Sequence, residues 1–336
     1  MQISFHDFSS GFPQHWITSP YEQELAYKIF KNFFGRLDDG LLVNCTWGGN
    51  SVIPGRHDSK FSQVIETLQE YPIRHALFFN FVDDFDSEWI PIINKAKDTL
   101  GSNRVKLVGN PVHDNDLQFQ FWPLAVNKFF AEYAESNLEL TSLDNYFLCY
   151  NRKPHGHRVE LYESLKDNNL VDDGIFTLGD ENHRSSITVG ANAASGNTHA
   201  FQVDPHASYA IPNDLMSFGN MGIWQRSFLN IVTETQYPGE NGFPFLTEKT
   251  FKPIIGKRPF LVLGPQSTTD WLKNNGFYVF NSDFGLPDTD PDIDDIVHVI
   301  KTKPVTELTP SIRKKIRHNE LRFPQFCKET KKYIGV

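Results

Sequence analysis

Long apolar runs are the first thing this 336-residue chain lacks. No stretch approaches the roughly 18 uninterrupted apolar residues of a bilayer-spanning helix. Met1 to Phe12 carries no basic region followed by an apolar run, so neither a membrane span nor a secretion signal is expected. Cysteine is scarce. Cys45, Cys149 and Cys327 are odd in number and far apart, which argues against a disulfide framework and for reduced, buried thiols. His155 and His157 have no matching cysteine pair, so a structural zinc site is not expected. Internal repeats and low-complexity tracts are also missing.

Aromatic mass is plentiful. The 29 Phe, 11 Tyr and 6 Trp supply enough apolar surface for globular cores and argue against wholesale disorder. At this length roughly two domains are expected. The net charge is -9, unevenly placed: residues 301 to 336 hold ten Lys or Arg against three Glu, a local balance of +7. That basic tail reads as a solvated helix with Arg313, Lys314, Lys315 and Arg317 on its exposed side, or as a contact for a polyanion.

Apolar strands alternate with helical patterns through the first half: Leu41 to Cys45, a helix near Phe61 to Glu70, Ala76 to Val82, a helix near Glu88 to Leu100, then Val105 to Gly109. Such alternation predicts a parallel sheet covered by helices. Around Phe119 to Glu139 the pattern turns helical and aromatic, with Pro123 as an interruption. A domain crossing near Asn137 to Asn145 divides the chain into 1–140, 141–310 and a basic tail, 311–336. The second half offers a strand at Tyr146 to Tyr150, a helix at Arg158 to Lys166, and an irregular stretch from Asp172 to Trp224 that reads as a loop insert. A regular unit follows: strand Phe228 to Thr233, helix Thr247 to Ile255, strand Phe260 to Leu263, helix Ser267 to Asn274, strand Phe277 to Phe280. The expected class is α/β, with two Rossmann-like domains and functional residues just after the strands. The run from Asp283 to Asp295 reads as a polar loop, not a metal cage.

Two segments carry chemistry. Asn151-Arg152-Lys153-Pro154-His155-Gly156-His157-Arg158 follows a strand and opens a helix. Cations there oppose the helix dipole by about 0.3–1 kcal/mol each, a conflict that a bound phosphate resolves. The plain alternative has Arg152 and Lys153 in water and Arg158 on a surface acid. In the second segment Glu234 ends a strand, and Thr247-Glu248-Lys249 opens a helix, with Thr247 as N-cap and Glu248 in the first turn. Together they offer a ribose-hydroxyl acceptor and a phosphate-neutralising cation, or simply a dipole-favoured surface acid.

The segment Phe245-Leu246-Thr247-Glu248-Lys249, followed by Gly256-Lys257-Arg258-Pro259-Phe260-Leu261-Val262-Leu263-Gly264-Pro265, resembles the donor-binding motif of the alpha-1,3-fucosyltransferase family. Phe228 to Thr235 is similar to that family's glutamate-ended strand, and Arg158 matches its diphosphate-binding arginine. The combination with Asn-Arg-Lys-Pro-His also resembles glycosyltransferases encoded by tailed bacteriophages. The resemblance spans about 146 to 281 and leaves the acceptor side of the chain without a motif. It implies the two-Rossmann arrangement called GT-B and a nucleotide sugar, foremost a GDP-sugar, used as substrate with no separate cofactor. It further implies inverting, metal-independent transfer to a glycan or other hydroxyl, in the cytoplasm of a host cell if the chain is phage-encoded. Donor contacts are then expected from Asn151, Arg152, Lys153, Arg158, Glu234, Thr247, Glu248 and Lys249. The base is expected from the first half of the chain, where Asp83, Asp84 and His113 follow strands. Three alternatives stand beside this one: an Asp84-Phe85-Asp86 metal site, transfer to a modified base in DNA, and a non-catalytic nucleotide- or glycan-binding module.

Overall fold

The computed structural model describes residues 4–7, 18–35, 39–45, 58–81, 89–109, 116–129, 138–151, 154–179, 186–189, 221–237, 244 and 246–336. The chain divides into two compact units, 1–125 with 328–336, and 126–327. The sequence predicts a division into 1–140, 141–310 and 311–336; instead the first boundary falls after residue 125, residues 311–327 group with the second unit, and the last nine residues group with the first. Each unit is built on one mainly parallel sheet, so the class is α/β.

In the first unit β1 (Ser4–Asp7), β2 (Gly40–Asn44), β3 (His75–Asn80), β4 (Val105–Gly109) and β5 (Leu117–Gln118) pair in chain order, all parallel. Helices α1 (Thr18–Phe34), α2 (Asp58–Glu70) and α3 (Trp89–Leu100) connect them. Strands β2 and β3 are near-continuous apolar runs because both faces of a parallel sheet are covered. One face of these strands packs Leu41, Val43, Ala76 and Phe78 against Val64 and Leu68 of α2 and Trp89, Ile92, Ile93 and Ala96 of α3. Pro123 does not interrupt a helix. It is the second residue of α4 (Trp122–Phe129), in the first turn, where a missing N–H leaves no hydrogen bond unmade.

The second unit orders its strands β10-β9-β6-β7-β8, from β6 (Asn145–Cys149), β7 (Gly174–Gly179), β8 (Ser186–Val189), β9 (Ser227–Thr233) and β10 (Phe260–Leu263). All neighbours are parallel except β7 and β8. Helix α5 (Gly156–Asp167) follows β6, α6 (Met221–Gln225) precedes β9, and α7 (Glu248–Ile255) and α8 (Thr268–Asn274) flank β10. Then come α9 (Ile293–Thr302) and α10 (Pro310–Tyr333). The expected insert from Asp172 to Trp224 is therefore partly sheet. Gly174 lets β7 lie close to β6, since a Cβ there would collide with the Phe147 ring and carbonyl oxygen.

Phe277 to Phe280, expected as a strand, pairs with no neighbouring strand among the described residues. Its backbone is satisfied by a side chain instead: Tyr278 N–H donates to Asn319 Oδ1 and Asn319 Nδ2 donates to the Tyr278 carbonyl, both at 2.8 Å. The aspartate-rich run has ordinary structural tasks. Asp290 accepts from the Ser267 and Thr269 N–H groups at 2.6 Å each, and Asp292 with Asp295 forms a capping box on α9. On α10, Arg313, Lys314 and Arg317 are exposed as expected, but Lys315 is half-buried, 2.5 Å from Asp283. No helix among the described residues is long and apolar enough to cross a membrane.

Asn319 on α10 is buried and replaces a missing strand partner. Asn319→Ala removes two part-buried hydrogen bonds to the Tyr278 backbone and should therefore cost about 1–3 kcal/mol, at about 0.5–1.5 kcal/mol for each bond. Urea denaturation reads this directly, and a change under about 0.5 kcal/mol, the scale of a surface substitution, would show that the two bonds do not support the segment.

Candidate functional site

The sheet of the second unit reverses at β6. From there the chain steps to β7 on one side and later to β9 and β10 on the other. Ligands of open parallel sheets bind beyond the carboxyl ends of the strands at such a reversal. The residues leaving β6 and β9 therefore frame the candidate site, and Asn151 and Glu234 are among them.

Glu234 is fully buried and joins both flanking helices to the sheet. Its carboxylate accepts from the Thr247 N–H at 2.9 Å, the Thr247 hydroxyl at 2.6 Å and the Thr250 hydroxyl at 2.5 Å. Those three donors lie at the start of α7, so the carboxylate ties this helix to the end of β9. The Glu234 carbonyl faces α5. It accepts from Arg158 Nη2 at 3.1 Å and lies 2.9 Å from His157 Nε2, while Arg158 Nη2 also donates to the Thr233 carbonyl at 3.0 Å. Asn151 stitches β6 to its neighbours: its Oδ1 accepts from the Thr233 hydroxyl, and its N–H donates to Thr177 Oγ1 at 2.8 Å. Its amide also contacts Cys149, whose thiol burial pushes up to about 12.

The two helices start differently. Thr247 caps α7, its side chain accepting from the Lys249 N–H. His155 precedes α5 without any side-chain cap bond. The Arg158 N–H donates to the His155 carbonyl at 2.9 Å, and among the described residues no side chain caps the start of α5; helix starts of this kind can bind anions. From α7, Lys249 Nζ lies 3.0 Å from Thr247 Oγ1, 3.4 Å from Thr235 Oγ1 and 3.3 Å from Glu248 Oε1.

Electrostatics follow from this crowding. Burial pushes the His157 pKa down, Arg158 and then Lys249 push it further, and only the Glu234 carbonyl bond opposes them; the result is about 4. His157 is therefore neutral at pH 7, and a neutral ring facing a carbonyl must carry its proton on Nε2. Burial raises the Glu248 carboxyl, but Lys249 and Lys252 more than cancel that and hold it below its ordinary value. Glu248 is thus a buried ion, not the surface acid of the plain sequence reading.

Of the expected donor residues, Asn151, Arg158, Glu234, Thr247, Glu248 and Lys249 come together around the ends of β6 and β9. Arg158 is 2% exposed, and its Nη2 donates to the carbonyls of Thr233 and Glu234. Arg152, Lys153, Asp83, Asp84, Asp86 and His113 lie outside the described residues. Among the described residues no cluster of three or more His, Cys, Asp or Glu side chains could hold a metal ion. Sequence reasoning passed over His157, Thr250 and Lys252. Thr250 and Lys252 lie within a turn or so of Thr247 and Glu248, a helical spacing that could have flagged them. His157 has no such signal, since its partner is a main-chain carbonyl. No protein family, curated protein or solved structure matches the chain.

A histidine whose pKa falls on folding holds its proton less well in the folded chain. Stability should then be full above the ordinary value of 6.5 and drain away as pH falls towards 4. At about 1.4 kcal/mol per unit, the loss is on the order of 3 kcal/mol by pH 4. His157→Gln keeps an N–H for the Glu234 carbonyl but does not titrate, so its denaturation free energy should decline less over that window. Parallel pH profiles for the two proteins would rule out His157 as the buried neutral group.

Proposed function

We propose that the chain is a glycosyltransferase that holds a nucleotide-sugar donor at the β6–β9 reversal of its second unit. The observation that carries this reading is the meeting of a helix start without a side-chain cap, α5, with Lys249 of α7 at that reversal, joined through Glu234. A diphosphate suits both partners. The α5 N–H groups would bind its oxygens, and the Lys249 ammonium would oppose the charge that grows as the bond from the anomeric carbon to the phosphate oxygen breaks. Arg158 adds positive potential from below, and Glu248 positions Lys249 through their ion pair. Arg152 and Lys153 would add cations from the same loop.

The motif resemblance extends the reading to a GT-B enzyme with a GDP-sugar donor and inverting, metal-independent transfer. In that reaction the acceptor oxygen forms a bond to the anomeric carbon as the nucleoside diphosphate departs, and a base takes the hydroxyl proton. Asp83, Asp84 and His113 are the proposed bases. The acceptor is a glycan or another hydroxyl compound.

Donor binding tests the reading first. A GDP-sugar at about 100 times its dissociation constant should stabilise the chain by about 2.7 kcal/mol in a thermal-shift panel with UDP-, CMP- and dTDP-sugars. A panel without any shift would overturn the proposal.

Lys249→Ala tests the catalytic part of the reading. Loss of the ammonium leaves the buried Glu248 carboxylate relying on Lys252 for counter-charge, so melting should fall, and turnover is compared at a temperature where both proteins are folded. Turnover should fall by about 100-fold, the scale of losing one preorganised charge-stabilising group. Parental turnover in this variant would remove Lys249 from the mechanism, and activity that vanishes with a chelator and returns with manganese would favour the Asp84/Asp86 metal site instead.

A further inference from the structure

The second unit has a cavity of about 380 Å3 at the opposite end of its sheet. Its lining comes from residues 139–143, which precede β6, from Lys257 and Arg258, which precede β10, and from α10 and the segment before it. The candidate donor site lies beyond the other ends of the same strands. A seven-residue strand such as β9 spans about 23 Å, so the two places are distinct.

The cavity combines three kinds of wall. Leu140, Leu308 and Ile316 are apolar. Arg313 and Arg317 stand one turn apart on α10; Arg313 Nε donates to the Leu308 carbonyl at 2.9 Å and Arg317 Nη1 to Glu320 at 2.6 Å, and the other N–H groups of the two are spaced to reach one anionic group. Glu139 and Glu307 are exposed carboxylates, which accept hydrogen bonds from amines and hydroxyls and repel a second anion. Glu320 is already engaged, 2.6 Å from Arg317 and 3.5 Å from Lys257.

Lys257 follows the last turn of α7, and its φ of +55° is the left-handed close of that helix: its N–H donates to the Ile254 carbonyl and the Arg258 N–H donates to the Pro253 carbonyl. Arg258 beside it is buried and bonded to the carbonyls of Ser227, Leu138, Gly256 and Trp224, so this wall is rigid.

We infer that this cavity is a second ligand site, taking a mononucleotide. Its phosphate lies on Arg313 and Arg317, its base against Leu140, Leu308 and Ile316, and its amine or hydroxyl donors on Glu139 and Glu307. Inorganic phosphate alone would leave the apolar wall and the carboxylates unused, and an uncharged nucleoside would leave the arginines unused. The volume sits near the lower end of the range for small-molecule sites, about 300–1,000 Å3. The inference does not depend on the glycosyltransferase reading, because no residue is shared between the two sites.

Calorimetric titration of the full chain with AMP, GMP, CMP and UMP, beside guanosine, adenosine and inorganic phosphate, tests it. At least one mononucleotide should bind at least tenfold more tightly than its nucleoside and than phosphate. The paired substitution Arg313→Gln with Arg317→Gln, at exposed positions, should weaken that binding at least tenfold or remove one equivalent of it, in a chain that a melting curve shows to be folded at the titration temperature despite loss of the Arg317–Glu320 and Arg313–Leu308 bonds. Three results would overturn the inference: no mononucleotide binding at about 5 mM, beyond the weak end of useful affinity; phosphate binding as tightly as the mononucleotides; or titrations identical in the parent and the doubly substituted chain. Donor thermal shifts in the same doubly substituted chain should match the parent's, which keeps failure here separate from failure of the donor site.

Discussion

A carboxylate taken out of water must be met by hydrogen bonds or a counter-charge, and at Glu234 this requirement organises the second unit. Three donors from the first turn of α7 meet it. Because these bonds are short, at 2.9, 2.6 and 2.5 Å, the start of α7 is held to the end of β9. The backbone of the same residue receives α5 through Arg158 and His157. One residue thus sets the separation of two helix starts. Lys249 inherits its position from that arrangement: Thr247 and Glu248, which hold its ammonium, are themselves placed by the Glu234 bonds or next to them in the helix.

The order of strands decides where such an arrangement can act. In the second unit, β7 and β9 lie on opposite sides of β6, so the connections after β6 and β9 part and leave room between them. The first unit differs. Its described strands pair in chain order without a reversal. Arg158, Glu234, Glu248 and Lys249 are gathered at the reversal, whereas the buried Arg258 lies at the other ends of the strands and the acids Asp290, Asp292 and Asp283 serve as caps and braces. Burial, and then the nearby cations, keep His157 neutral, while Lys249 and Lys252 keep Glu248 ionised at the same reversal.

Local pattern carried much of this into the sequence. Parallel strands read as short apolar runs, and β2, β3, β4, β6, β9 and β10 all lie within a residue or two of where those runs predict them. Thr247 as N-cap and Glu248 in the first turn follow from side chains that bond their own backbone, a property of a few neighbouring residues. Cys45, Cys149 and Cys327 are buried, as apolar neighbours imply. The pairing of strands, by contrast, is long-range. Gly174 to Gly179 lacks a strong period and becomes β7 because Gly174 fits against Phe147. Phe277 to Phe280 has the apolar character of a strand, yet Asn319, forty residues on, takes the place of a neighbour.

Residue chemistry and spacing alone thus determined the α/β class, the helix starts and the residues that could serve an anion. Tertiary structure decided their roles. Nothing near Arg158 in the chain announces that its guanidinium lies on the carbonyls of Thr233 and Glu234, about 75 residues away. Nor does the local sequence reveal that Glu248 is a buried ion, or that the His157 proton sits on Nε2. Burial and charge environment depend on what the whole fold brings alongside a group, and a buried group's ionisation is set by those neighbours, whereas capping and strand patterns depend on atoms a few bonds apart.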